Sequence, residues 1–421
     1  MFYKRLVAVA VLLLVTTSMV SVAGCTVSGG STAGLGNPVA TSGNGHLYKV
    51  GQYNVAVLSG NYLEMGHQYG TLLRSQIKAM YSKTADVFNQ MMHLFKPGMT
   101  LDKVEAFCLS QCVLYPKRLR DVMRGIQETT GLRAAQLALI DQCVIAQVML
   151  EIEALPGIHC SSVTAWGPYT GNGPVVMGRH FDFPPLYVNF NPYLSVIVFN
   201  PDDGSIPTAT LSYAGQIGCI QCFNKSGLVV ETDDMSGVTP PNNKMHSDRI
   251  PVTAVLDDFG LDNSNLDELN AAFMTMRFQY PLLSNVASPL RGQTYEVGTT
   301  DVVRRSDTAD GLVVIANTAL DPQWNMPPTK DNSDVRQQNL TNLANNEKGH
   351  IGVATMEKIF DVTESNGGAN VTPQDNNNPA DSITCYEFVY QPSTRNLSVR
   401  VPSAKNWTQI KLAPCFAGAS Q

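Results

Sequence analysis

Charge is scarce in this chain and shows no basic bias: Asp, Glu, Lys and Arg make up 15% of its 421 residues, and the formal net charge is -6. Nucleic acid is thereby set aside as a partner, because its phosphates call for clustered Lys and Arg. The apolar run from Leu6 to Val15 falls short of the roughly 20 residues that a membrane-spanning helix needs. No internal repeat is evident. A single CxxC occurs, Cys219-Ile220-Gln221-Cys222, and without a second one a zinc site has half its ligands. Neither a metal nor a cofactor is expected, and Gly218 and Phe223 around the motif suggest a strand in which both thiols are paired or simply buried.

What is present describes a globular chain with ample core. Apolar residues make up 44%, and the length exceeds the usual single-core size, so two domains or one large layered domain are expected. At the N-terminus, Lys4 and Arg5 precede the apolar run, and Val22-Ala23-Gly24-Cys25 closes the segment with small residues. That pattern fits an export signal over residues 1–24, and Cys25 behind the small residues resembles a lipobox, which implies lipidation of Cys25. An ordinary secretory signal with an incidental Cys25 is the alternative. Residues 25–45, rich in Ser, Gly, Thr and Ala, read as a flexible tether. The expected location is the cell envelope, lipid-anchored to the membrane and facing outward.

The body divides at Cys160. Residues 46–159 open with the alternating strand Tyr53–Leu58 and then read as mainly helical, through Leu63–Gly70, Leu101–Thr129 and Leu132–Leu150, with Pro97-Gly98 and Thr130-Gly131 as breaks. Residues 160–421 turn to short β-rich runs: Val163–Trp166, Val175–Phe183, Leu194–Phe199, Ala209–Tyr213, Leu228–Glu231 and Leu312–Asn317. Helices are expected within Pro251–Phe278, capped at Asn265, and over Val335–Asn345 and Val353–Val362. A closing hairpin joins Cys385–Tyr390 to Leu397–Val401. Strands, helices and strands in this order suggest two sheets covered by helices.

Nine cysteines occur. With Cys25 and Cys160 set apart, seven remain, so at least one stays free if the others pair. Cys160 heads Cys160-Ser161-Ser162 just before a strand; it is either a small core residue or a nucleophile. Arg179 and Asp182 lie three apart on one expected strand. An ideal strand aims them at opposite faces, so a bend or bulge is needed for both to reach one site; a strand-end ion pair is the other reading. Asn317 ends an apolar strand, as a turn residue or as an amide donor to an oxyanion. Arg336 opens a helix, either solvated or in a site. His67, a lone His at helical spacing, reads as structural. Met91, Met92, Phe95, Tyr187, Phe190 and Tyr193 suit an acyl slot or plain core, and none is assigned.

Taken in order, Leu58-Ser59-Gly60, Glu64-Met65-Gly66-His67-Gln68-Tyr69-Gly70, Cys160-Ser161-Ser162, Gly178-Arg179-His180-Phe181-Asp182, Asn224-Lys225-Ser226-Gly227-Leu228 and Val314-Ile315-Ala316-Asn317 resemble the acyl-coenzyme A:6-aminopenicillanic acid acyltransferase (isopenicillin N acyltransferase) family. More distantly, the second half is similar to choloylglycine hydrolase and penicillin V acylase. The resemblance implies an N-terminal nucleophile hydrolase: an α+β, four-layer αββα sandwich made as a precursor that cuts itself between His159 and Cys160. His159 stands where the family often has Gly.

The α-amine so freed titrates near 7.7 to 8.0 and can take the thiol proton, so no separate catalytic His is required. By the same resemblance Asp182 orients that amine, Arg179 and Arg336 belong to the site, and Asn317 donates to the oxyanion. A second oxyanion Asn of the bile-salt branch is replaced here near Asp233 and Asp234, whose backbone N–H groups become the candidate donors. That departure argues against bile-salt and penicillin V substrates. The implied function is a self-processing amidohydrolase cleaving a linear, non-peptide C–N bond of a small N-acyl substrate through a thioester, its α and β fragments staying together. An acyltransferase with the same acyl-enzyme, or an inactive surface lipoprotein serving as a binding module, is the alternative.

Overall fold

The strand runs assemble into two sheets stacked face to face, with helices on both outer sides. The computed structural model describes residues 35–150, 160–235, 238, 241–305, 310–325, 332–372 and 382–416, all within the unit Gly34–Gln421. Cys25 and His159 lie outside the described residues. In chain order, β1 (Ala40–Ser42), β2 (Gly45–Val50) and β3 (Tyr53–Gly60) lead into α1 (Tyr62–Leu72), α2 (Arg74–Phe95), α3 (Leu101–Cys112), α4 (Lys117–Thr130), α5 (Ala134–Asp141) and α6 (Cys143–Met149). Then come β4 (Ser161–Ala165), β5 (Val176–Phe183), β6 (Leu194–Pro201), β7 (Thr208–Tyr213), β8 (Gln221–Asn224), β9 (Val229–Glu231) and β10 (Asp233–Asp234). The helices α7 (Val252–Asp262) and α8 (Leu266–Thr275) precede β11 (Leu282–Ala287), β12 (Gly292–Val297), β13 (Val302–Arg304) and β14 (Leu312–Ile315). Last are α9 (Ser333–Asn346), α10 (Val353–Asp361), β15 (Ile383–Gln391), β16 (Asn396–Arg400) and β17 (Thr408–Lys411).

The large sheet runs β1-β2-β3-β6-β7-β8-β9-β11-β12-β13, with β10 beside β11, and the small sheet runs β14-β4-β5-β15-β16-β17. The strand β3 pairs parallel with β6, matching Asn54 to Ser195. A parallel pair needs a long crossover, and here the crossover contains α1 to α6 and the β4–β5 hairpin. Residues before and after Cys160 therefore share one sheet. Part of the expected tether also belongs to the fold: Ala40–Ser42 pairs with Gly45–Leu47.

Leu340, Ala344, Met356, Ile359 and Phe360 of α9 and α10 pack on Val163, Ala165, Val176 and Val389, covering the outer face of the small sheet. The helices α1, α7 and α8 cover the large sheet at β3, β8 and β13. This is the α+β, four-layer αββα sandwich. Local chemistry agrees with it: Asn61 and Glu64 cap α1 reciprocally, each side chain accepting from the other's backbone N–H. Asn265 caps α8 as expected. The glycines of the Glu64–Gly70 motif serve packing, because a Cβ on Gly66 would lie 2.3 Å from Val122 O, and one on Gly125 2.5 Å from Leu63 O. The backbones of α1 and α4 touch where these glycines allow it.

Candidate active site

Alternation along β4 decides where Cys160 points. Val163 and Ala165 face α9 and α10, whereas Ser162 and Thr164 face the large sheet and bond Glu231 and Asn285. Cys160 shares the parity of Ser162, so its thiol enters the gap between the sheets. On the neighbouring β5, Met177, Phe181 and Phe183 join the core on that inner side, together with Arg179. His180 and Asp182 turn outward. Arg179 and Asp182 thus stay on opposite faces, as ideal alternation dictates. The irregularity lies on the partner strand instead: between the pairs Thr384–Asp182 and Tyr386–Phe181, β15 carries the extra residue Cys385.

On the inner face, Arg179 Nη2 lies 3.5 Å from Cys160 Sγ. Its Nε is 2.9 Å from Glu231 Oε2 and 3.1 Å from Asp233 Oδ1, and its remaining N–H groups donate to Gln221 Oε1 and Thr232 O. Ser162 Oγ donates to Glu231 Oε1 over 2.8 Å, and Asn285 Nδ2 donates to Ser162 Oγ over 2.9 Å. Burial pushes both carboxyls above their ordinary range and Arg179 pulls them back; the neighbouring Asp233 raises Glu231 further. Two carboxyls under one guanidinium do not both ionise readily. Burial also raises the Cys160 thiol well above its usual value, against the pull of Arg179 and with Asp233 and Asp182 adding to the rise. The thiol is therefore protonated at neutral pH and requires a base before it can attack.

On the outer face, different groups hold the peptide unit of Cys160. Its N–H donates to Asn317 Oδ1 over 2.8 Å, and Arg336 Nη1 donates to its carbonyl over 2.9 Å. Arg336 Nη2 donates to the same Asn317 Oδ1 over 3.1 Å, while Asn317 Nδ2 donates to Asp234 O over 2.8 Å. Asn317 has φ of +54°, a conformation Asn tolerates better than most residues. It both turns the chain and reaches Cys160. Arg336 is fully buried rather than solvated.

Asp182 was expected to bind the Cys160 nitrogen, but in the continuous chain the single N–H goes to Asn317. Asp182 Oδ1 accepts from Thr384 Oγ1 over 2.7 Å, and Oδ2 lies 3.7 Å from Arg336 Nη1. That Oδ2 is buried and has no hydrogen-bond donor among the described residues. Burial raises Asp182 to about 7, with Arg336 and Thr384 pulling the other way.

His180, inside the same motif, sits on the outer face against Ser161 Oγ at 3.1 Å and Phe360 O at 3.0 Å. Burial lowers it to about 3, so it is neutral. A carbonyl only accepts, so Nε2 carries the proton toward Phe360 and Nδ1 accepts from Ser161. Asp233 and Asp234, expected to contribute backbone N–H groups, pair as β10 with Leu283 and Leu282. Asp233 acts here through its side chain on Arg179, and Asp234 through its carbonyl on Asn317. His67 makes a surface pair with Glu128 at 2.5 Å.

A small cavity of about 20 Å³ opens at Cys160, with Val144, Ile145, Phe181, Phe183, Ile220 and Tyr280 as largely apolar walls and Arg179, Thr232 and Asp234 as polar ones. Of the residues weighed for an acyl slot, Tyr187 and Phe190 are core and none of the six lines this cavity. All eight cysteines among the described residues are buried and unpaired, and no group of three His, Cys, Asp or Glu there could hold a metal. No helix among the described residues is long and apolar enough to cross a membrane.

Sequence reasoning missed Gln221, Glu231, Thr384 and Tyr280. For Gln221 the signal was its place inside the CxxC strand. For Glu231 it was an acidic residue closing the apolar run Leu228–Val230, a position that asks for a buried cation.

No family model matches the chain. A Dictyostelium discoideum protein, dcd1B, is 26% identical over 269 residues, covering 57% of this chain and 50% of that protein. The chain thus spans about half the length of this curated relative. Among solved structures, a mutant of conjugated bile acid hydrolase from Clostridium perfringens aligns with a TM-score of 0.43 and 12% identity, over 61% of this chain and 93% of that one. The Caenorhabditis elegans N-acylethanolamine-hydrolyzing acid amidase ortholog aligns at 0.39 and 17%, over 55% and 93%. Penicillin V acylase from Agrobacterium tumefaciens aligns at 0.42 and 13%, over 60% and 86%.

Proposed function

We propose that this protein is a self-processing cysteine amidohydrolase that cuts a linear amide C–N bond of a small N-acyl substrate. One observation carries the reading: Cys160 immediately precedes β4 with its thiol on Arg179 at an apolar-walled cavity, and its nitrogen is held separately by Asn317. In processing, Sγ attacks the carbonyl carbon of residue 159, the peptide nitrogen leaves as the α-amine of Cys160, and water hydrolyses the thioester. Asp182 Oδ2 then has a use, because an α-ammonium offers protons beyond the one that Asn317 accepts.

In turnover the α-amine takes the thiol proton as Sγ attacks the substrate carbonyl. The same proton passes to the departing amine, and water releases the acid from the thioester. Asn317 Nδ2 is the donor assigned to the oxyanion, with backbone N–H near Asp233 and Asp234 as second candidates. Lipidation at Cys25 anchors the protein outward at the cell envelope, where acyl-coenzyme A is scarce, so water rather than an amine is the expected acceptor. The α and β fragments stay associated through the sheet they share.

Purified wild-type protein run on a denaturing gel should give two fragments meeting at His159 and Cys160, and Cys160→Ala a single chain. An intact wild-type chain whose Cys160 resists iodoacetamide under all conditions sinks the amidase reading and leaves a binding module. Product formed only with a thioester donor and an amine acceptor turns the assignment to acyl transfer.

A further inference from the structure

The cavity at Cys160 is not built from the strands after the proposed cut alone. One wall is α6, through Val144 and Ile145, and these residues precede Cys160 in the chain. Both are buried, at 6% and 1% exposure. A seven-residue helix has little stability of its own, so what fastens it decides whether that wall is fixed.

The fastenings come largely from residues after Cys160. Asp141, ending α5, accepts from Ile217 N over 2.6 Å and Gly218 N over 2.9 Å, and Tyr115 OH donates to its other oxygen. Two residues on, Cys143 O accepts from Tyr187 OH over 2.7 Å, and Gln216 Nε2 lies 3.5 Å from Cys143 Sγ. At the far end Lys96 Nζ donates to Leu150 O over 2.7 Å. Ile217 and Gly218 also lead directly into Ile220, which lines the cavity from the other side. The buried carboxylate of Asp141 thus sets the gap between two walls, one from each side of the cut.

We propose that this cavity takes the apolar acyl group of the substrate and that Val144 and Ile145 set its size limit, so that the fragment released from Cys160 by processing remains the specificity-determining half of the pocket. The assignment rests on the amidohydrolase reading. Among the described residues its walls carry no cation to attract a carboxylated acyl chain apart from Arg179, which is already committed to Glu231 and Asp233. The space is small, about 20 Å³, so short acyl groups fit it better than long ones.

The test is a series of N-acyl amides sharing one amine and differing in acyl length, assayed on processed wild-type, Ile145→Ala, Val144→Ala and Ile145→Phe proteins. Ile145→Ala and Val144→Ala should move the kcat/KM optimum to longer chains and Ile145→Phe to shorter ones, each by about tenfold in the ratio of long to short. Fragment formation and iodoacetamide labelling of Cys160 should match wild-type. Length profiles that superimpose across all four proteins, with processing and activity intact, overturn the pocket assignment while leaving the amidase reading standing. A wild-type chain that is neither cut nor labelled removes both together. Should Ile145→Phe fail to fold, the two alanine variants decide.

Discussion

The two faces of the small sheet beneath Cys160 are both ionic and both buried, yet they hold different atoms. The inner face, with Arg179 over Glu231 and Asp233, touches the thiol. Arg336, which faces Asp182 on the outer side, and Asn317 at the end of the adjoining strand hold the carbonyl and the peptide nitrogen. Cys160 sits at a strand end, where one residue presents its side chain to one face and its backbone to the other. A nucleophile whose base is its own amine needs this separation, because thiol and nitrogen must be steered independently.

The largest effect that tests this comparison is on stability. In the uncut Cys160→Ala background, Arg179→Ala leaves two buried carboxyls without their cation and should cost about 3–5 kcal/mol in urea unfolding. A loss near zero would mean that the inner cluster is not the ionic group described here.

The outer face should respond to pH. Asp182, raised from its ordinary 3.8 to about 7, binds its proton more tightly in the folded chain than in the unfolded one. Its share of the stability is therefore lost as pH rises from about 4 to 7, by at most ~4 kcal/mol. In the same uncut background, Asp182→Asn should flatten the stability profile over that window relative to the parent; parallel profiles contradict the assignment. After processing, the α-ammonium should bring Asp182 back down, so the same comparison in processed protein should show a smaller difference.

Two smaller effects separate the faces further. Asn317→Ala removes an acceptor from Cys160 and Arg336 at a positive φ, and should cost about 1–3 kcal/mol together with slower fragment formation. Ser162→Ala deletes one donor to Glu231 and should cost about 1 kcal/mol while processing proceeds at the wild-type rate. If the two variants slowed processing equally, the division of labour between the faces would be lost.

Much of this was legible beforehand because it follows from period. The runs at Val163–Trp166 and Val175–Phe183 became β4 and β5, and the spacing of Arg179 and Asp182 already said that they point apart. What could not be read is what each meets. Arg179 finds Gln221, Thr232, Glu231 and Asp233 across the sheet gap, more than 40 residues away in every case, and pairing at that separation leaves no periodic trace. Arg336 read as a helix-start residue either open to water or in a site, and its own helix could not decide, because burial under a neighbouring strand is not encoded there. The cavity walls were equally hidden, since α6 and β5 meet only through the fold.

The most direct measurement is the intact mass and N-terminal sequence of the purified wild-type protein. The account predicts a fragment that begins with a free Cys160 and ends at Gln421, accompanied by the N-terminal fragment ending in His159, and a single chain for Cys160→Ala. A wild-type protein that remains one chain, or is cut elsewhere with Cys160 internal, contradicts it.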